Sequence, residues 1–156
     1  MTDQEFTACV QRYLDMVYRI ALNWFGHPAD AEDAAQNAML RLLRTDTAFA
    51  GEDHLRHWLV RVTINECKRL SAAPWRRRTV PLESCREQPA FSAPERREVY
   101  QAVMALPGKY RVPLYLYYYE GCSVREIAQA MGLRESTVQT RLARGRETLK
   151  RQLTEE

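Results

Sequence analysis

The apolar stripes of this chain follow intervals of three and four rather than the alternation of a strand, and that period commits it to helices. Phe6, Val10, Tyr13, Val17, Ile20 and Trp24 form one such stripe. They predict a long amphipathic helix from Asp3 to Phe25, ended by Gly26-His27-Pro28. A second helix is expected from Asp30, a suitable N-cap with acids in the first turn, to about Arg44. A third, from about His54 to Ser71, carries Leu55, Trp58, Leu59, Val62 and Leu70, with Trp58 read as a core residue by helical phase.

The period fails between Ala73 and Pro94. Pro74, Pro81, Pro89 and Pro94 are spread there through polar residues, the composition of an extended linker. Helices resume from Glu95 to Leu106 and, past Pro107-Gly108, from Tyr110 to Glu120, with Gly121 as the C-cap residue. Tyr115, Tyr117, Tyr118 and Tyr119 stand too close in sequence to share one face, so packing is the expected role of most. The expectation is an all-α fold of two small helical domains, 1–72 and 95–156, joined by a linker over 73–94.

Ser123-Val124-Arg125-Glu126 reads as a capping box and starts a helix that Gly132 ends. Glycine suits the sharp helix–helix turn there, because that turn requires a positive φ. Leu133 fills the angle, and a second helix follows from Glu135 to Leu153. Its apolar positions Val138, Leu142, Gly145, Leu149 and Leu153 face the domain. The opposite face shows Thr137, Thr140, Arg141 and Arg144, with Ser136 at its start and Arg134 at the cap position. Hydroxyls and arginines are what base edges and phosphates accept, so this is a helix-turn-helix whose second helix enters a DNA major groove.

Charge is distributed in the same sense. Net charge is only +3, yet residues 54–78 carry seven lysines and arginines against the single acid Glu66. Residues 134–151 carry six bases and two acids. The first 36 residues are acidic instead, with Asp30, Glu32 and Asp33 opening the second helix. Two basic stretches predict two contacts with a polyanion, and the acidic helix predicts a protein partner.

Other classes find little support. P-loop, G-x-S-x-G and H-E-x-x-H patterns are absent, and His27, His54 and His57 lack partnered acids in a motif. Cys9, Cys67, Cys85 and Cys122 are far apart, which fits reduced thiols in a cytoplasmic protein better than zinc. The acidic start Met1-Thr2-Asp3-Gln4-Glu5 does not resemble a signal peptide. No catalytic residue, metal, cofactor or small-molecule substrate is expected. The remaining alternative is a one-component regulator with a ligand-sensing first domain, for which a three-helix unit offers little room.

Several runs resemble a known family. Leu106-Pro107, Arg111, Leu114, Glu120-Gly121-Cys122-Ser123, Glu126-Ile127-Ala128, Met131-Gly132, Thr137-Val138-Gln139-Thr140-Arg141-Leu142 and Arg144-Gly145-Arg146 resemble region 4 of the small bacterial sigma factors. These form the extracytoplasmic-function (ECF) group. Asp30-Ala31-Glu32-Asp33-Ala34-Ala35-Gln36-Asn37 is similar to region 2.2, and Trp58-Leu59-Val60-Arg61-Val62-Thr63-Ile64-Asn65 to region 2.3. Lys68, Arg69 and Arg76-Arg77-Arg78 follow as in region 2.4. Asn37 stands where an acid is usual, Leu40 where Phe is common, and Gly145 where Ala is usual.

The resemblance implies a promoter-specificity subunit whose partners are core RNA polymerase, promoter DNA and an anti-sigma factor. Duplex contacts at the −35 element would come from Arg134, Ser136, Thr137, Thr140, Arg141 and Arg144. The unpaired −10 strand would meet Arg61, Lys68 and Arg69 through phosphates, Asn65 through a base edge and Phe49 through stacking. Core polymerase would be met by Asp33, Gln36, Asn37 and Leu40, which share a helix face by spacing.

Overall fold

The computed structural model describes residues 1–73 and 94–154, and side chains for 1–73 and 97–154. Residues 74–93, with the Arg76-Arg77-Arg78 run, Cys85 and nearly all of the expected linker, lie outside the described residues. Every regular element among the described residues is an α-helix, as the apolar period requires. The chain divides into two compact units, Met1–Arg86 and Glu87–Glu156.

The first unit contains α1 (Asp3–Phe25), α2 (Pro28–Arg44) and α3 (Glu52–Ser71). Thr2 caps α1 reciprocally with Glu5: the Glu5 N–H donates to Thr2 Oγ1 at 3.1 Å, and the Thr2 N–H donates to Glu5 Oε2 at 2.9 Å. Gly26 ends the helix at φ 83°, a left-handed conformation that glycine adopts without steric cost. Both following helices begin two residues earlier than expected. In α2, His27 takes the N-cap place and Pro28 enters the first turn, where a missing N–H is harmless. Asp30 is therefore not the cap; it pairs with His27 Nε2 at 2.8 Å. In α3, Gly51 precedes the first turn and Glu52 and Asp53 occupy it, complementing the helix dipole.

Val17, Ile20 and Ala21 of α1 are buried with Ala31, Ala34, Ala38 and Leu42 of α2 and Leu59, Ile64 and Cys67 of α3. Burial pushes the Cys67 thiol far above its ordinary pKa, so it packs as an inert small hydrophobe. Trp24 Nε1 donates to Ser71 Oγ at 2.8 Å, which ties the end of α1 to the end of α3.

The second unit contains α4 (Pro94–Met104), α5 (Gly108–Tyr118), α6 (Val124–Met131) and α7 (Glu135–Thr154). Pro94 is the first residue of its helix, for the same reason as Pro28, and α5 starts at Gly108 behind Pro107 at the N-cap. Past α5, Gly121 at φ 69° turns the chain so that the Cys122 N–H reaches the Leu116 carbonyl at 2.9 Å. Gly121 thus lies two residues beyond the C-cap, which is Tyr119. Ile127 and Met131 of α6, Val138 and Leu142 of α7, and Val112, Leu114 and Leu116 of α5 are buried. Gly145 explains how closely α7 approaches α5: a Cβ there would stand 2.6 Å from Leu114 Cδ1.

Candidate nucleic-acid interface

The α6–α7 pair has the local chemistry its sequence demands. Ser123 Oγ accepts the Glu126 N–H at 3.1 Å, and Glu126 Oε1 accepts the Ser123 N–H at 3.3 Å. Gly132 sits at φ 70°, and the Leu133 N–H returns to the Ala128 carbonyl at 2.9 Å. With Val138, Leu142 and Gly145 turned inward, the other side of α7 is left to solvent. An open groove there is lined by Ser136, Thr137, Thr140, Arg141 and Arg144, joined by Lys109 and Tyr110 of α5. Arg134 is exposed but stands outside that lining. The Thr140 hydroxyl donates to the Ser136 carbonyl at 3.0 Å, which leaves its oxygen the role of an acceptor. Lys109 Nζ lies 5.0 Å from the Tyr110 ring centroid, a cation–π contact that adds charge to this edge. Sequence reasoning missed Lys109 and Tyr110, which precede the motif and join it only through packing.

The first unit carries a second groove, built across two helices. Arg41 and Arg44 from the end of α2, with Thr45 just past it, face Trp58, Arg61, Val62 and Asn65 of α3. Arg61 and Asn65 are thus brought together one turn apart, whereas Lys68 and Arg69 stand outside this lining. Lys68 is exposed further along α3, and Arg69 is held by Glu66 at 2.9 Å. Trp58 is not a core residue. It is half-buried, lines the groove, and meets Phe49 edge-to-face at 5.3 Å between ring centroids. Helical phase misplaces it because α3 is amphipathic against α1 and α2 at Leu55, Leu59 and Val60, while Trp58 lies at the rim. Phe49 also meets the His54 ring at 5.2 Å, and His54 Nδ1 accepts the Ala50 N–H at 2.9 Å. These contacts fold the loop over 45–51 onto the first turns of α3.

The acidic helix presents a face of different character. Ala31, Ala34, Ala35, Ala38 and Leu42 are buried, so Asp33, Gln36 and Leu40 are turned outward and Asn37 is half-buried beside them. Leu40 is 41% exposed and Leu43, one turn on, 49%. Two exposed leucines on one helix face make an apolar patch beside polar groups. Leu43 was missed, although its spacing of three from Leu40 signals the shared face.

The tyrosines depart from expectation. Only Tyr115 is buried, its hydroxyl donating to buried Glu120 Oε2 at 2.7 Å. Tyr117, Tyr118 and Tyr119 are exposed at the end of α5, Tyr119 stacking on Tyr115 and Tyr118 accepting from Arg146 NH1 at 3.2 Å. Successive residues point around the helix, so one inward tyrosine leaves its neighbours outside.

Among the described residues no helix is long and apolar enough to cross a membrane, and no cluster of His, Cys, Asp or Glu could hold a metal. Residues 9–78 match the pattern of Sigma-70 region 2, and residues 96–149 that of Sigma-70, region 4. The chain is 31% identical to the ECF RNA polymerase sigma factor SigM of Mycobacterium tuberculosis, over 95% of this chain and 76% of that one. It is 27% identical to the ECF RNA polymerase sigma factor SigW of Bacillus subtilis, over 97% of this chain and 90% of that one. Its fold is similar to that of the sigma factor RpoE of Bartonella quintana, solved in complex with the anti-sigma factor NepR. That likeness has a TM-score of 0.79, with 22% identity, over 96% of this chain and 97% of that one.

Proposed function

The chain belongs to the extracytoplasmic-function group of the sigma-70 family, and from that premise we propose how its surfaces divide the work of starting transcription. It is a promoter-specificity subunit rather than an enzyme, and its partners are core RNA polymerase and promoter DNA. Residues 1–72 dock on the polymerase and open the −10 element, residues 95–156 bind the −35 element, and residues 73–94 link them. The protein acts in the cytoplasm, where the DNA is. An anti-sigma factor is a further partner, in keeping with the complex formed by the Bartonella quintana protein.

The observation that carries the reading is the groove on α7, where Ser136, Thr137, Thr140, Arg141 and Arg144 converge. A helix of this kind fits the major groove, where arginine contacts guanine bidentately and the hydroxyls take either bases or phosphates. Arg134 reaches a flanking phosphate from the start of the helix. In the first unit Arg61, Lys68 and Arg69 neutralise phosphates of the unpaired strand, Asn65 reads a base edge, and Phe49 backs an extruded base. The outward face of α2, with Asp33, Gln36, Asn37 and Leu40, docks on polymerase. An apolar anchor beside hydrogen-bonding groups suits a protein rather than phosphate.

In vitro transcription with core polymerase over a library of promoter sequences tests the assignment. Transcripts that appear only when the chain is added, from templates sharing two spaced elements, are the expected result. A chain that binds duplex DNA strongly by itself and never associates with core polymerase would be a one-component regulator instead.

A further inference from the structure

A buried carboxylate stands behind the groove of the first unit. Glu66 of α3 has a side chain only 2% exposed, and a charge in that position demands close partners. It has two. Oε1 accepts from Arg41 Nε across the α2–α3 contact, and Oε2 accepts from Arg69 Nε at 2.9 Å. Both arginine side chains remain 56% exposed. The anion is therefore interior while the two cations it holds are at the surface.

Arg41 has a place in the groove as well, beside Arg44, Trp58, Arg61 and Asn65. Its hydrogen bond to Glu66 runs through Nε, and the terminal nitrogens of a guanidinium carry four further N–H donors. An arginine whose rotamer is already held loses less freedom on binding a second acceptor. From this geometry we infer that Arg41 is a contact for the sugar-phosphate chain of the unpaired strand, and that Glu66 is the positioning residue that holds it there. The inference rests on the assignment of this groove to the −10 strand.

The test uses holoenzyme and a single-stranded −10 oligonucleotide over a series of salt concentrations. Arg41→Ala should weaken binding roughly tenfold, the loss expected for one hydrogen bond to a charged group. It should also lower the slope of log affinity against log salt by about 0.7, the share of one phosphate contact on a single strand. Arg41→Lys should keep the slope and recover only part of the affinity, since lysine cannot be held through Nε. Glu66→Gln should weaken binding by a smaller factor with the slope preserved, because its amide –NH2 must face one guanidinium while both charges remain. In an Arg69→Ala background, which removes the other partner of Glu66, combining Glu66→Gln with Arg41→Ala should add nothing further, because Glu66 then acts only through Arg41. An additive loss in that background would overturn the positioning role. If Glu66→Gln does not fold, the two Arg41 variants still decide the contact. Wild-type affinity and slope in Arg41→Ala, with both reduced in Arg61→Ala, would sink the Arg41 contact alone. Wild-type behaviour in both would remove the strand from this groove altogether.

Discussion

On α7 the side chains offered to DNA come almost entirely from about three turns of one helix. In the first unit the groove takes Arg41 and Arg44 from the end of α2, Thr45 from the loop, and Trp58, Arg61 and Asn65 from α3. A single-helix surface keeps its geometry wherever the helix is docked, since period alone sets the spacing of its side chains. A groove shared by two helices has its geometry set by their packing, and here an ion pair with a buried carboxylate lies in that packing. The first arrangement suits the regular edges of duplex DNA; the second can close around a strand that has no shape of its own.

The comparison breaks most visibly where the first unit meets protein instead of DNA. Gln36→Ala with Leu40→Ala should abolish pull-down of core polymerase while duplex binding by the second unit persists. Because Asn37 carries no charge, the contact should depend strongly on Leu40 and only weakly on salt. Undiminished pull-down in that double variant would show that the two units do not divide their partners in this way.

Next in size is the recognition helix. Arg141→Ala and Arg144→Ala should each cost about 1–3 kcal/mol of −35 binding, the worth of a bidentate arginine–guanine pair. Their thermal stability should match the wild type, since the packing residues Val138, Leu142 and Gly145 lie on the opposite face. Promoter duplex affinity unchanged in both would mean that another face of α7 meets the DNA.

A smaller and more selective effect is expected of Asn65→Ala. Holoenzyme should form normally, but permanganate reactivity of the −10 region should fall on a promoter that the wild type melts. Full reactivity would take Asn65 out of strand opening and leave the groove to its cations.

The smallest effect concerns the contact of α1 with the start of α3. The Tyr13 hydroxyl and then Arg12, at 3.0 Å, hold the Glu52 carboxyl below its ordinary pKa. A carboxyl lowered in the folded state contributes stability above its unfolded value and loses it as pH falls through the folded one. The wild type should therefore lose more melting temperature than Glu52→Gln on acidification below about pH 4.5, the ordinary value for this group. Solvent screens so exposed a pair, so the difference should be slight. Parallel melting curves for the two proteins through that range would remove this contact from the stability of the first unit.

Sequence alone determined the helical class and the α6–α7 motif down to its capping residues. Each of those is local: a period, a cap or a positive φ is specified within a few residues of chain. The same locality made Ser136, Thr137, Thr140, Arg141 and Arg144 legible as one face. Tertiary structure decided what arises between elements. It set Trp58 at a rim instead of in the core, brought Arg41 and Arg44 to Arg61 and Asn65, and turned Tyr117, Tyr118 and Tyr119 outward. It also buried Glu66, which in sequence is merely the one acid among seven bases, between two arginines 25 and three residues away. Spacing along a chain says which side chains share a helix face, but the identity of the face opposite is fixed only when the helices pack.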